Sequence, residues 1–84
     1  MNQNKYKILL VEDEENILNF VTALLEAQDY QIITAANYGM AKTMYASHIP
    51  DLVILDLGLP DKDGSVLLRE IRARDFTPVI VLSA

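Results

Sequence analysis

Short hydrophobic runs alternate along this chain with longer segments in which hydrophobic residues recur every three or four positions. Most of the runs are apolar at every position, as in strands buried on both faces of a sheet. We predict strands at about residues 8–11, 30–35, 52–55 and 78–82. The segments between them carry the period of amphipathic helices. We predict helices at about residues 14–27, 38–47 and 65–74.

The order of these elements predicts the fold class. Strands that alternate with helices form a parallel sheet covered by helices on both faces, so we expect an α/β fold. The length of 84 residues fits a single domain over residues 1–84. Asn37 is the predicted N-cap of the second helix. Along that helix we predict core packing, rather than a cofactor site, for the apolar stripe of Met40, Ala41, Met44 and Tyr45.

Charge and composition narrow the function classes. The net charge is −5 and the basic residues are scattered, which argues against direct binding of nucleic acid by this segment. The chain has no cysteine, which excludes disulfides and thiolate metal sites and suits a cytosolic protein. Its apolar runs are too short to span a bilayer, so we expect a soluble protein without a membrane partner.

Carboxylates follow two of the predicted strands. Glu12 and Asp13 come directly after the first strand, and Asp56 follows the third. If those strands are neighbours they lie about 4.8 Å apart, and the three carboxylates converge at one edge of the sheet. Such a cluster needs a proton or a cation to offset its charge, and oxygen ligands suit Mg²⁺. Asp56 could then act as a nucleophile in phosphoryl transfer.

Two further residues extend this candidate site. Gly58 can bring its backbone carbonyl close to a metal, and Ser83 could donate a hydrogen bond to a phosphoryl oxygen from the end of the fourth strand. Acidic residues also follow strands simply because loops are polar, and spacing alone leaves both interpretations open. Asp61 and Asp63 are expected to be solvated loop residues or helix caps, and His48 a surface residue at a helix end.

Three blocks of this sequence resemble response regulator receiver domains. They are residues 8–14 (ILLVEDE), 52–64 (LVILDLGLPDKDG) and 78–84 (PVIVLSA), which occur in the order and spacing of that family. The resemblance covers the whole chain and implies a flavodoxin-like (CheY-like) sheet of strand order 2-1-3-4. The loop over residues 57–64 is similar to that of winged-helix-class (OmpR-like) regulators of potassium-transport genes.

The resemblance implies a role for each matched residue. Asp56 matches the phosphoryl acceptor, Asp13 the direct Mg²⁺ ligand and Glu12 its acidic neighbour acting through water. The carbonyl of Gly58 matches a third metal ligand, and Ser83 matches the hydroxyl residue that moves toward the phosphoryl group. The donor would be a phosphohistidine on a sensor histidine kinase. Such a module is a signalling acceptor from which no enzymatic turnover is expected.

The resemblance also has a gap. Receivers of this family continue through a further helix, strand and helix, and that strand carries a lysine that pairs with the phosphoryl group and an aromatic switch residue. We therefore expect a truncated receiver of impaired function. An uncovered fourth strand would leave an apolar sheet edge, and without the last helix the sheet face beside the first helix would be exposed. We therefore expect a homodimer or larger assembly, formed either by pairing of two fourth strands or by exchange of elements between chains.

Three alternatives remain. A phosphatase-like enzyme with an Asp nucleophile usually has a second Asp two residues later, where this chain has Gly58. A calcium loop would use Asp61, Asp63, Gly64 and Glu70 at positions 3, 5, 6 and 12 of the EF-hand pattern, but Leu59 occupies position 1. The third alternative is an inactive, self-associating fragment.

Overall fold

Strands and helices alternate along the whole described part of the chain. The computed structural model describes residues 6–82. Its elements are β1 (Lys7–Val11), α1 (Glu15–Glu26), β2 (Gln31–Ala35), α2 (Tyr38–His48), β3 (Leu52–Asp56), α3 (Gly64–Arg74) and β4 (Val79–Leu82). The predicted order is confirmed, and each predicted boundary lies within one residue of the observed one.

The four strands form one parallel sheet in the order β2-β1-β3-β4. Val11, the last residue of β1, lies opposite Ala35 of β2 and Leu55 of β3. Asp56, the last residue of β3, lies opposite Leu82 of β4. The flavodoxin-like order 2-1-3-4 is therefore confirmed, and β1 and β3 lie side by side at its centre.

The two faces of the sheet are buried in separate hydrophobic clusters. Successive residues of a strand point to opposite faces, and the central strands are apolar at nearly every position. One cluster joins strand residues such as Leu9 and Leu55 to Leu67 and Ile71 of α3 and to Ala41 of α2. The other joins Ile8, Leu10 and Ile54 to the apolar side of α1, through Leu18, Val21 and Leu25. The sheet thus has α2 and α3 on one face and α1 on the other.

The apolar pattern by itself predicts that β4 is buried on both faces, whereas the resemblance predicts an uncovered apolar edge strand. The structure shows the edge strand. Ile80 is 50 % exposed and Val81 39 % exposed. Among the described residues β4 pairs with β3 alone, which makes it an edge strand. Ile80 lies opposite Ile54, whose side chain belongs to the α1 cluster. Helix α1 packs mainly on β1 and β2, and the β4 residue packed against that cluster is Leu82 rather than Ile80.

Two helices also bury less than their patterns predicted. In α1, Ile17 is 44 % exposed and Leu24 53 % exposed, because the helix stands alone on its face and meets the sheet along one side. In α2, Met40 is 43 % exposed while Ala41 is fully buried. Met40 lies at the first turn, where its N–H bonds to the capping Asn37 and its side chain faces outward.

Three helix starts are capped by local side chains. Asn37 Oδ1 accepts from the N–H of Met40 at 2.8 Å, which confirms the predicted cap of α2. Glu14 caps α1, and Asp63 caps α3 by accepting from the N–H of Ser65 at 2.8 Å. His48 ends α2 and is exposed, as expected. None of the helices in residues 6–82 is both long and apolar enough to cross a membrane.

Candidate functional site

Three carboxylates converge at the carboxyl edge of the sheet. Glu12 and Asp13 directly follow β1, and Asp56 is the last residue of β3. Because these two strands are parallel neighbours with Val11 opposite Leu55, they deliver their following residues to the same place. One carboxylate oxygen from each residue lies within 4.8 Å of the others. The expected convergence is therefore observed.

The three carboxylates differ in burial and support. Glu12 is only 4 % exposed, whereas Asp56 is half-buried and Asp13 is exposed. The Glu12 side chain is held by the N–H of Glu14, which donates to Oε2 at 3.0 Å. The backbone N–H of Glu12 donates to the carbonyl of Ala35 at 3.0 Å, which extends the pairing of β1 with β2. Glu12 is thus a fixed, buried acid behind a more open pair of aspartates.

Burial raises the pKa of Glu12 above its ordinary value, since the charged form is poorly solvated there. The hydrogen bond from Glu14 lowers this pKa, while the negative charges of Asp56 and Asp13 raise it. The net direction is upward. The site therefore holds more negative charge than it can easily stabilise, which favours a bound proton or cation.

An open crevice of about 760 Å³ gives solvent access to these groups. Its lining consists of Glu12, Asp13, Glu14, Glu15, Ile17, Asp56 and Leu82. Five of these seven residues are acidic. The crevice therefore attracts cations, and it repels an anion unless a cation accompanies it. Converging oxygen donors with room for water are the environment that a hard divalent cation prefers. The residues present therefore fit such an ion.

The segment after β3 is tied to the nucleophile candidate. The N–H of Gly58 donates to Asp56 Oδ1 at 3.1 Å, which holds the carboxylate toward the start of the loop. The N–H of Gly64 donates to the carbonyl of Leu57 at 2.8 Å, so the loop closes on itself where α3 begins. A Cβ added at Gly64 would lie 2.5 Å from the carbonyl oxygen of Asp56 and 2.8 Å from Leu57 Cα. Only glycine fits where α3 approaches the end of β3.

One residue near the site has a partner that the sequence did not reveal. Asp61 was expected to be a solvated loop residue or a cap. It caps α2, accepting from the N–H of Tyr38 at 2.8 Å and of Gly39 at 3.0 Å. These hydrogen bonds, that from Tyr38 foremost, lower the pKa of Asp61. The two partners are 23 and 22 residues away, so no local pattern could have identified them.

The calcium-loop alternative is wrong. Asp61 caps α2, Asp63 caps α3, and Glu70 accepts a hydrogen bond from the hydroxyl of Tyr38 at 2.6 Å. The segment before this loop is β3, whereas an EF-hand requires a helix there. Within residues 6–82, the carboxylates that lie close enough together to share one metal ion are those of Glu12, Asp13 and Asp56. Ser83 lies outside the described residues.

Comparison with known proteins identifies relatives over nearly the whole chain. Residues 8–84 match the family model of the response regulator receiver domain. The KDP operon transcriptional regulatory protein KdpE of Escherichia coli is 43 % identical over 77 residues, which cover 92 % of this chain and 34 % of that protein. The chain thus spans about a third of the length of the curated relatives it matches. The resemblance of the loop over residues 57–64 to winged-helix-class regulators of potassium-transport genes agrees with the similarity to KdpE.

Solved structures show the same fold. The BeF3-activated N-terminal receiver domain of RstA from Klebsiella pneumoniae matches with a TM-score of 0.87 and 34 % identity, over 92 % of this chain and 66 % of that one. The response regulator TrrA of Thermotoga maritima, in complex with Mg(2+)-BeF, matches with a TM-score of 0.87 and 36 % identity, over 94 % of this chain and 70 % of that one.

Gly64→Ala is expected to destabilise the fold and displace Asp56. The new methyl group would overlap backbone atoms of β3, and such overpacking costs about 1–3 kcal/mol. Urea unfolding measures the loss. The matched control is Gly39→Ala in the first turn of α2, where an added Cβ meets its nearest atom at 3.5 Å. This control should gain up to about 1 kcal/mol from helix propensity. Similar effects of the two substitutions would contradict the close approach.

Glu12→Gln is expected to stabilise the metal-free protein at neutral pH by about 1 kcal/mol, a common size for one stabilising substitution, because it removes a buried and poorly solvated charge. A raised carboxyl pKa in the folded state means that stability is full below the ordinary value of 4.5 and falls as pH rises through the raised value. The advantage of the Gln variant should therefore vanish in acid. Thermal unfolding across pH measures it. The exposed Glu15→Gln is the control, and an equal gain there would refute burial as the cause.

Proposed function

The chain belongs to the response regulator receiver domain family, and from this membership we propose that it accepts a phosphoryl group on Asp56. The observation that carries the proposal is the position of that carboxylate. It ends β3 within 4.8 Å of the carboxylates of Glu12 and Asp13, on an open crevice. Residues 1–84 would act as one signalling module of a two-component system, either alone or as part of a longer regulator.

The proposed transfer uses an oxygen of Asp56 as the nucleophile. The N–H of Gly58 occupies Oδ1, so we assign the attack to Oδ2. That oxygen forms a bond to the phosphorus of a phosphohistidine while the phosphorus–nitrogen bond breaks, and its electron pair returns to the imidazole. The product is an acyl phosphate on Asp56 and a histidine that takes up a proton. One phosphoryl group is accepted per chain, without turnover.

We propose Mg²⁺ as the cation of the site. Asp13, Asp56 and the carbonyl of Gly58 would hold it directly, and Glu12 would act through water. When bound it would neutralise charge on the phosphoryl oxygens. The buried acid with a raised pKa and the all-oxygen donor set support this assignment, as does the similarity to TrrA, whose structure contains Mg(2+)-BeF. The hydroxyl of Ser83 is proposed to bind the phosphoryl group.

The proposed donor is a sensor histidine kinase, which would meet the module in the cytoplasm. The similar KdpE is by its name a transcriptional regulatory protein, and we propose that this chain likewise serves in the regulation of transcription. Direct binding of DNA by this segment is not proposed, because its net charge is −5 and its active crevice is acidic.

Incubation with acetyl phosphate and Mg²⁺ is expected to add one phosphoryl group to the protein, detected by intact mass. Asp56→Asn should remove the modification and chelation of Mg²⁺ should prevent it. Asp29→Asn is the matched control, since Asp29 is exposed and its positive φ of 68° suits asparagine. Modification that survives in Asp56→Asn would overturn the proposal. Continuous release of phosphate would favour the phosphatase-like alternative.

The 84-residue chain is also proposed to self-associate through β4, as its sequence predicted. The exposed apolar side chains of Ile80 and Val81, on an edge strand whose outer backbone groups have no partner strand among residues 6–82, support pairing with a second copy. Light scattering should give a dimer or larger species, and Val81→Lys should shift it toward the monomer. A monodisperse wild-type monomer would contradict this.

A further inference from the structure

The loop between β3 and α3 (residues 57–63) carries Gly58 and is held at both ends. At its start, Gly58 donates to Asp56 Oδ1 at 3.1 Å. At its end, Asp63 caps α3, and the N–H of Gly64 donates to the carbonyl of Leu57 at 2.8 Å. These contacts all lie within the loop or at its own ends. They close it but do not fix its middle against the rest of the protein.

Leu59 packs against the core cluster, and Asp61 adds hydrogen bonds from the middle of the loop to another element. Its Oδ1 accepts from the N–H of Tyr38 at 2.8 Å, and its Oδ2 accepts from the N–H of Gly39 at 3.0 Å. Both carboxylate oxygens are thus used on the first turn of α2. A carboxylate is also favoured at that point by the positive end of the helix dipole. The next N–H, of Met40, is satisfied separately by Asn37.

The anchor on α2 is itself rigid. Tyr38 is only 8 % exposed, and its hydroxyl donates to Glu70 Oε1 of α3 at 2.6 Å. The ammonium group of Lys62, the loop residue after Asp61, lies 4.7 Å from the centre of the Tyr38 ring, a cation–π distance. Ala41, one turn further along α2, is fully buried against the sheet. The middle of the loop is therefore fastened to a residue that is packed against the core and bonded to α3.

We propose that Asp61 is a positioning residue for the site. By bonding the loop to the first turn of α2, it sets where Gly58 lies relative to Asp56, and so it raises the affinity of the site for Mg²⁺. Without this connection the loop would populate more conformations, and metal binding would have to order it at a cost in free energy. The effect on Mg²⁺ rests on the proposed function, whereas the effect on the loop does not.

Two substitutions and one control separate this role from ordinary helix capping. Asp61→Ala removes both acceptors, and Asp61→Asn keeps one acceptor oxygen but presents an NH₂ group to a second N–H. Asn37→Ala is the control, because it removes a cap from the same end of α2 with no link to the loop. Heteronuclear relaxation and hydrogen exchange of the Gly58 and Leu59 amides report loop order without metal. Titration with Mg²⁺ then gives the affinity.

We expect Asp61→Ala to increase the mobility of both loop amides and to weaken Mg²⁺ binding about tenfold, the lower end for losing a group that supports a metal ligand. Asp61→Asn should fall between the alanine variant and the wild type. Asn37→Ala should lose comparable stability while leaving loop order and Mg²⁺ affinity unchanged. If Asp61→Ala does not fold, the comparison of Asp61→Asn with Asn37→Ala decides the question.

The outcomes separate this inference from the proposed function. Unchanged loop amides in the Asp61 variants overturn the positioning role, whether or not the wild type binds Mg²⁺. Equal loss of Mg²⁺ affinity in Asn37→Ala also overturns it, since general loosening of α2 would then be the cause. A wild type that binds no Mg²⁺, together with a mobile loop in Asp61→Ala, overturns the proposed metal site and supports the connection made by Asp61.

Discussion

The pairing of β1 with β3 is the constraint on which the rest of this site depends. The two strands are far apart in sequence, and each is followed or ended by acidic residues. Their parallel alignment, with Val11 opposite Leu55, brings Glu12, Asp13 and Asp56 to one edge of the sheet. An antiparallel pairing would send the two groups to opposite ends. The convergence of these carboxylates is thus a consequence of strand direction and order.

This alignment concentrates negative charge, and the surrounding structure prevents the charges from separating. The backbone of Glu12 continues the pairing of β1 with β2, and its side chain is held by the N–H of Glu14. Asp56 is held by Gly58 on one side, while α3 begins against its backbone at Gly64. Burial foremost, and the neighbouring charges of Asp56 and Asp13 in addition, raise the pKa of Glu12 in the folded state. A cation bound in the crevice would offset the negative charge and would thereby stabilise the fold.

The loop between β3 and α3 is supported by the helix layer formed by α2 and α3. Asp61 reaches the first turn of α2, and Tyr38 at that turn reaches Glu70 on α3. The same two helices cover one face of the sheet. The site is thus connected to the core through side chains as well as through the backbone of β3. A change at the site that moves the loop would act on α2 through this connection.

The sequence by itself determined the elements and the candidate carboxylates. Apolar period and caps are local properties, so every boundary was predicted to within one residue, and the resemblance to receiver domains supplied the strand order. Tertiary structure decided which apolar side chains are exposed and which residues distant in sequence are hydrogen-bonded to each other. Ile80 and Met40 are exposed because exposure depends on which elements cover a position, and an apolar pattern states only a preference. Asp61 binds α2 because the fold brings together residues 22 and 23 positions apart, whereas local sequence patterns describe only near neighbours.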